Sequence, residues 1–183
     1  MKLKPITAAL LAAGALCATS AMAADRISKE AYATQKDRIS AEYKTDAARC
    51  SSLSGNAKDI CKAEAKGKQK AAKADAYAAY KGTDKAATDA IIARADADYS
   101  VAKEKCDDLA GNAKDVCVKE AKALHTKAKV DAKANNKVSE VRKDATQDKL
   151  DANYNVAKER CDALAGDAKS RCIDDAKARF GKS

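Results

Sequence analysis

One sequence unit occurs three times in this 183-residue chain, and every copy carries two cysteines. The shared frame is Ala-x-Tyr, a cysteine seven residues after the tyrosine, then Leu, Gly, Asn or Asp, Ala-Lys and a second cysteine. Ten residues separate the cysteines within each copy. Such agreement predicts one supersecondary unit that is used three times. The copies span residues 41–66, 97–122 and 152–177.

The pattern inside the unit predicts a helical hairpin. In the middle copy, apolar and small residues recur every three or four positions on both sides of a Gly-Asn pair, as in two helices with a shared seam. We therefore expect an all-α fold of three antiparallel, coiled-coil-like hairpins, either elongated or bundled. The predicted seam comprises Ile92, Ala95, Tyr99, Ala102, Cys106 and Leu109 on the outgoing helix, and Ala113, Cys117, Ala121, Leu124 and Ala128 on the returning one.

The turn of each hairpin is predicted from a glycine and the residue after it. Glycine suits the left-handed position that ends a helix, and Asn or Asp suits the N-cap of the next helix. The predicted turn and cap residues are Gly55, Asn56, Gly111, Asn112, Gly166 and Asp167.

The two cysteines of a copy lie five residues from their own side of the turn, so an antiparallel pair of helices brings them level. Ala-rich faces allow the close approach that a disulfide requires. We therefore predict the disulfides Cys50–Cys61, Cys106–Cys117 and Cys161–Cys172. Zinc ligand pairs are usually two to four residues apart, and catalytic dithiols favour Cys-x-x-Cys, so both alternatives fit this spacing less well.

Short segments whose residues favour the end of a helix separate the predicted hairpins. Lys81-Gly82-Thr83-Asp84 predicts a helix stop followed by an N-cap, and Asn135-Asn136 lies at a similar point of the next unit. We predict helices over 27–54, 57–80, 84–110, 113–134, 137–165 and 168–180, and hairpin repeats over 24–81, 82–135 and 136–183. The alternative keeps 57–110 and 113–165 as two continuous helices.

Composition limits what these helices can bury. Alanine fills 45 of 183 positions, and only 19 Val, Ile, Leu and Phe follow residue 23. Alanine buries little apolar area, which argues against a large enzyme core, and no Val/Ile-rich runs exist for a parallel sheet. One disulfide closing such a loop contributes roughly 3 kcal/mol, so three rival the whole stability of a domain, about 5–15 kcal/mol. Disulfides are thus expected to decide whether the chain folds.

The first 23 residues resemble a secretory signal peptide. Lys2 and Lys4 precede an uncharged stretch over 6–17, and Ala21-Met22-Ala23 supplies a cleavage site. Leu16 precedes Cys17, where a lipid-attachment motif needs a small residue, so lipidation is not expected. We predict a soluble, exported protein in a bacterial periplasm, where the six remaining cysteines form disulfides.

Other candidate residues have structural explanations. Tyr43, Tyr99 and Tyr154 form either a repeated contact stripe for a ligand or, as we favour, one large side chain per Ala-rich seam. His125 is the only histidine, and without a facing carboxylate it is expected to be an ordinary surface residue. We predict no catalytic residue, no metal site and no cofactor.

The distribution of charged residues is compatible with several classes of binding partner. The formal net charge is +9, but basic and acidic residues alternate, as on solvated helix faces. The predicted partner is another protein or an anionic envelope component. Nucleic acid is disfavoured because basic residues are not clustered and aromatic residues are scarce. Self-association of the Ala-rich seams is a further possibility.

The segment YSVAKEKCDDLAGNAKDVC (99–117) carries a resemblance to small exported helical proteins of Gram-negative bacteria. Such proteins are often labelled TolA-like or cell-envelope biogenesis proteins. The chain is expected to differ from TolA itself, because its N-terminus looks cleavable rather than a lasting membrane anchor and no mixed α/β C-terminal domain is predicted after the repeats. The hairpins also look like twin Cys-x9-Cys proteins, with a spacing of ten and one pair per hairpin. The resemblance implies a helical, periplasmic envelope protein and transfers no active-site residues.

Together these features predict a non-enzymatic structural or interaction protein of the periplasm or cell envelope. Two alternatives remain: a thiol-based redox or stress-responsive protein that uses the same cysteines, and a weak binder of anionic envelope components.

Overall fold

The structure, a computed structural model, describes residues 26–182. The predicted signal peptide and Cys17 lie outside these residues. The described part is all-α, as predicted, with five α-helices and one short 3₁₀ segment. The elements are α1 (Lys29–Arg49), the 3₁₀ segment (Cys50–Ser52), α2 (Gly55–Lys81), α3 (Asp84–Cys106), α4 (Gly111–Cys161) and α5 (Gly166–Phe180).

Local signals explain where several of these helices begin and end. Ser28 caps α1 by accepting a hydrogen bond from the N–H of Ala31 at 3.1 Å. Thr83 caps α3 in the same way, accepting from Ala86 at 3.2 Å. Gly82 ends α2 in the left-handed conformation with φ of 59°, and its N–H donates to the carbonyl of Ala78. The predicted break at residues 81–84 is therefore confirmed, and a continuous helix over 57–110 is wrong.

The predicted break at Asn135-Asn136 is wrong, because α4 continues through both residues for 51 residues in all. Asparagine is only a moderately poor helix former, with a cost well under 1 kcal/mol relative to alanine. Neither residue has a positive φ that would end the helix. The Asn136 side chain instead donates to Glu140 within the helix at 2.8 Å. Residues 26–182 thus form five helices rather than six.

The helices form a single antiparallel layer. Within residues 26–182, each helix contacts only the helices next to it in sequence. The long helix α4 spans about 75 Å at 1.5 Å per residue. Its first part lies beside α3, where Lys143 of α4 bonds Asp84 at 2.7 Å. Its last part lies beside α5, where Lys182 bonds Asp151 at 2.5 Å.

Small residues make the buried surface between the helices. The buried set consists of Ile39, ten alanines or glycines and the first cysteine of each pair. Most of the larger aliphatic side chains in the described residues lie at the surface, since a single layer has no third helix to cover them. Helix pairs are also joined by exposed ion pairs such as Arg94–Asp75 at 2.6 Å and Lys68–Asp46 at 2.8 Å. Within residues 26–182, no helix combines the length and apolar character that crossing a bilayer requires.

Candidate functional site

All three predicted disulfides are present. Their Cα–Cα distances are 5.6, 5.7 and 5.7 Å, within the range for disulfides in proteins. In every pair the first cysteine is at most 1% exposed, whereas the second is half-buried. Each disulfide therefore joins two helices next to their turn, with one sulphur shielded from solvent.

The turn glycines have the predicted left-handed conformation, but they lie at the start of the returning helix rather than at the end of the outgoing one. Gly55, Gly111 and Gly166 have φ of 55°, 55° and 54°. They begin the returning helix, because the outgoing helix already ends near its cysteine. The N-cap positions are Ser54, Ala110 and Ala165, without a capping side chain.

The predicted N-cap residues Asn56, Asn112 and Asp167 consequently lie inside the first turn of their helices, and their capping role is wrong. Asn56 instead links two hairpins. Its amide donates to the carbonyl of Glu104 at 2.9 Å and to the carboxylate of Asp108 at 2.7 Å. Hydrogen bonds between the turn of the first hairpin and the end of α3 hold these two ends together.

An ion pair crosses the turn in the second and third hairpins. Lys114 bonds Asp107 at 2.9 Å, and Lys169 bonds Asp162 at 2.8 Å. The hydrogen bond to Asp107 raises the pKa of Lys114, and the hydrogen bond from Lys169 lowers the pKa of Asp162. These pairs are exposed and contribute little stability each.

The three repeat tyrosines all lie half-buried along the helix pairs. Tyr43 lies beside Ile39 and Gln69 in the first hairpin. Tyr99 stacks on the ring of His125, with centroids 4.8 Å apart and planes at 16°. Tyr154 occupies the matching position on α4. Half-burial suits the predicted role of one large side chain per seam.

A cluster around His125 was missed by the sequence analysis. His125 is not an isolated surface residue: its Nε2 donates to the carboxylate of Asp96 at 2.5 Å, and its side chain is only 17% exposed. Lys129 also bonds Asp96, at 3.3 Å. The hydrogen bond from His125 is the largest influence that lowers the pKa of Asp96, and the hydrogen bond from Lys129 adds to it.

Hairpin pairing could have revealed part of this cluster. Positions at equal offsets from the two cysteines face each other, so Tyr99, seven residues before Cys106, lies near His125, eight residues after Cys117. The equivalent of His125 is Gln69 in the first repeat and Phe180 in the third, so this arrangement is specific to the middle hairpin.

A groove of about 550 Å³ between α3 and α4 adjoins the cluster. Ile91 and Leu124 lie on its walls with 47% and 70% of their surface exposed. Leu124 was predicted to be inside the seam, and this is wrong, because no helix among residues 26–182 covers the groove. Leu109, also assigned to the seam, lies at the turn and is 44% exposed.

The cluster contains a charge-assisted hydrogen bond and an aromatic stack, arranged beside an apolar groove. Within residues 26–182, no three His, Cys, Asp or Glu side chains are grouped so as to hold a metal ion. The arrangement is therefore best described as a candidate contact surface, comprising Ile91, Asp96, Tyr99, Leu124 and His125.

No protein-family model, curated protein or solved structure matches the chain.

Proposed function

We propose that this protein is a non-enzymatic structural or interaction protein of the bacterial cell envelope, located in the periplasm. The observation that carries the proposal is the set of three disulfides, which lie at three of the four helix turns of a layer with little buried apolar surface. Disulfides of this kind persist in oxidising compartments. They supply rigidity that alanine packing does not, which suits a scaffold that displays helix faces.

The groove between α3 and α4 supports the interaction role. Ile91 and Leu124 present apolar surface there, with Tyr99 and His125 at the same site. Aromatic side chains with one polar end are enriched where proteins meet. The partner is a protein or an anionic envelope component.

The alternative redox role is less well supported by the cysteine positions. Thiol–disulfide exchange requires access to a sulphur, and one cysteine of each pair (Cys50, Cys106 and Cys161) is buried while the other is only half-buried. Such burial favours permanent structural disulfides.

Fractionation of a Gram-negative host that makes the full chain tests the location. We expect the protein in the periplasmic fraction, shortened after Ala23, with no cysteine open to alkylation before reduction. The matched control is the same chain without residues 2–23, which should stay in the cytoplasm with reduced cysteines. Full-length protein in the cytoplasm, or free thiols in the exported protein, would contradict the proposal.

A photo-crosslinking residue at position 124 tests the interaction surface in cells. The control carries the same residue at position 87, an exposed alanine on α3. We expect a defined adduct with one envelope component from position 124 only, identified by mass spectrometry. Equal adducts from both positions, or none, would count against the groove as the contact surface.

A further inference from the structure

The side of α4 that faces away from α3 and α5 carries a line of valine and alanine, which charged residues interrupt at each step of seven. On a helical projection with about 100° per residue, the buried and half-buried residues of α4 fall on one side of the helix. This side meets α3 through Ala121 and Ala132, and it meets α5 through Ala157 and Cys161. The opposite side carries a line of apolar residues that we call the α4 seam. Successive residues of this line are seven, seven, four, four, three, four, seven and four positions apart in sequence. It comprises Val116, Ala123, Val130, Ala134, Val138, Val141, Ala145, Ala152 and Val156.

Every residue of the α4 seam is exposed. Its five valines keep between 45% and 57% of their surface in solvent. Steps of three, four and seven are those of a coiled-coil interface. A line of this length along one helix leaves a face that a second helix can cover.

Charges on the two borders of the α4 seam change sign near residue 140. One border is mainly basic in its N-terminal half and acidic in its C-terminal half, whereas the other border has mainly the reverse order; Asp115 on the first border and Lys127 on the second are exceptions. The first border carries Lys119, Lys133 and Lys137, then Asp144 and Asp148. The second border carries Glu120 and Asp131, then Arg142, Lys149 and Arg160.

This order makes the surface complementary to itself. In an antiparallel helix pair each border meets the same border of the other helix, running in the opposite direction. Pairing about residue 140 places Lys137 opposite Asp144 of the second copy and Lys133 opposite Asp148. On the other border it places Asp131 opposite Lys149 and Glu120 opposite Arg160. Val138 then meets Val141, and Ala134 meets Ala145.

We propose that two copies of this chain pair through the α4 seam, with their α4 helices antiparallel. A two-fold axis near residue 140 relates the copies, so that the same surface is used twice. A parallel pair would also bring opposite charges together, but it aligns the two helix macrodipoles, which the antiparallel pair opposes. The pairing gives the proposed interaction role a partner, and it extends the layer through α4 on its open side.

Sedimentation equilibrium of the purified, disulfide-intact protein tests the pairing. We expect twice the monomer mass for the wild type and the monomer mass for Val138→Glu/Val141→Glu. The control is Leu53→Glu, which alters an exposed apolar residue in the turn before α2, away from the α4 seam and from the groove. It should remain dimeric. Since all three positions are exposed in the monomer, helical content by circular dichroism should not change.

A charge-reversal series tests the orientation. Lys133→Glu/Lys137→Glu should dissociate the dimer by placing like charges opposite Asp148 and Asp144. Adding Asp144→Lys/Asp148→Lys should restore it, because the reversed pairs are again complementary. In a parallel pair the fourfold variant would instead oppose Asp131, Arg142 and Lys149 with like charges and stay dissociated.

Several results would overturn the proposal: a monomeric wild type, a dimeric seam variant, dissociation by Leu53→Glu, or a fourfold variant that stays monomeric. These measurements use purified protein. A failure here therefore leaves the location and the groove tests of the proposed function unaffected.

Discussion

Gly67 is buried in α2 where that helix passes close to α3. A Cβ atom added to Gly67 would lie 3.0 Å from the Cβ of Ala97. Only the smallest side chain allows this approach without a shift of one helix. The position shows how a layer with few bulky residues depends on close backbone contact.

The effect of substituting Gly67 on the free energy of unfolding should depend on the size of the new side chain. We expect Gly67→Leu to lower the free energy of unfolding by roughly 1–3 kcal/mol through overpacking. The free energy of unfolding of Gly67→Ala should stay within about 1 kcal/mol of the wild-type value, because the gain in helix propensity offsets the tight contact. Denaturant unfolding measures both, with Ala79→Leu at an exposed position of α2 as the matched control. Equal effects of the Leu substitution at positions 67 and 79 would contradict the close contact.

Asp96 is the carboxylate of the His125 cluster, and its interactions predict a pH dependence. A carboxyl group whose pKa is lower in the folded state stabilises that state above its unfolded pKa, near 3.9, and this contribution is lost as the pH falls through the folded value. Since Asp96 is half exposed, we expect Asp96→Asn to cost at most about 1 kcal/mol at pH 7. The difference in the free energy of unfolding between Asp96→Asn and the wild type should become smaller toward pH 2.

Thermal unfolding followed across this pH range measures the effect. Asp98→Asn, an exposed neighbour on α3, is the control and should show a smaller change. A constant difference between Asp96→Asn and the wild type at all pH values would show that the carboxylate charge does not stabilise the fold.

At the scale of single elements, α5 depends most on its disulfide. This helix has 15 residues and contacts only α4 within residues 26–182. Isolated helices of about 12–15 residues are marginal in water. Its position is therefore held by the Cys161–Cys172 disulfide, a buried Ala176 and a few ion pairs.

Cys161→Ser/Cys172→Ser should release α5 without unfolding the rest. Loss of a disulfide of this loop size costs about 3 kcal/mol, or about a hundredfold in the opening equilibrium. We expect amide hydrogen exchange in α5 to accelerate by that order, while α2 and α3 keep their protection. Uniformly faster exchange in all helices would show that the layer unfolds as one unit.

The break predicted at Asn135-Asn136 shows why element boundaries are difficult to derive from local residues alone. The Gly82 stop combines a left-handed glycine with a capping threonine, and such a signal acts locally. Two asparagines only weaken a helix. Packing of Ala132 against α3 and the Asn136–Glu140 hydrogen bond hold α4 together across them.

The whole molecule should lose its helices when all three disulfides are reduced. The buried surface is mostly alanine, so the chain lacks the apolar area that would offset its conformational entropy. We expect far-ultraviolet circular dichroism to collapse with reductant under native conditions, and intact mass to rise by two hydrogen atoms per disulfide. Helicity that survives full reduction would contradict this account and favour a role in which the disulfides are reversible.

The amino-acid sequence by itself determined the all-α class, the three hairpins, the pairing of the cysteines and the stop at Gly82. Each of these depends on residues close together in sequence, because helix periodicity, a local stop signal and equal offsets from a turn act over short distances. The tertiary structure alone decided that α4 passes through Asn135-Asn136, that His125 meets Asp96, and that α3 and α5 share one side of α4. The first follows because two asparagines only weaken a helix, and the other two arise from contacts between different helices. In a chain of similar alanine-rich helices, periodicity shows which face of a helix is apolar but not which neighbour covers it.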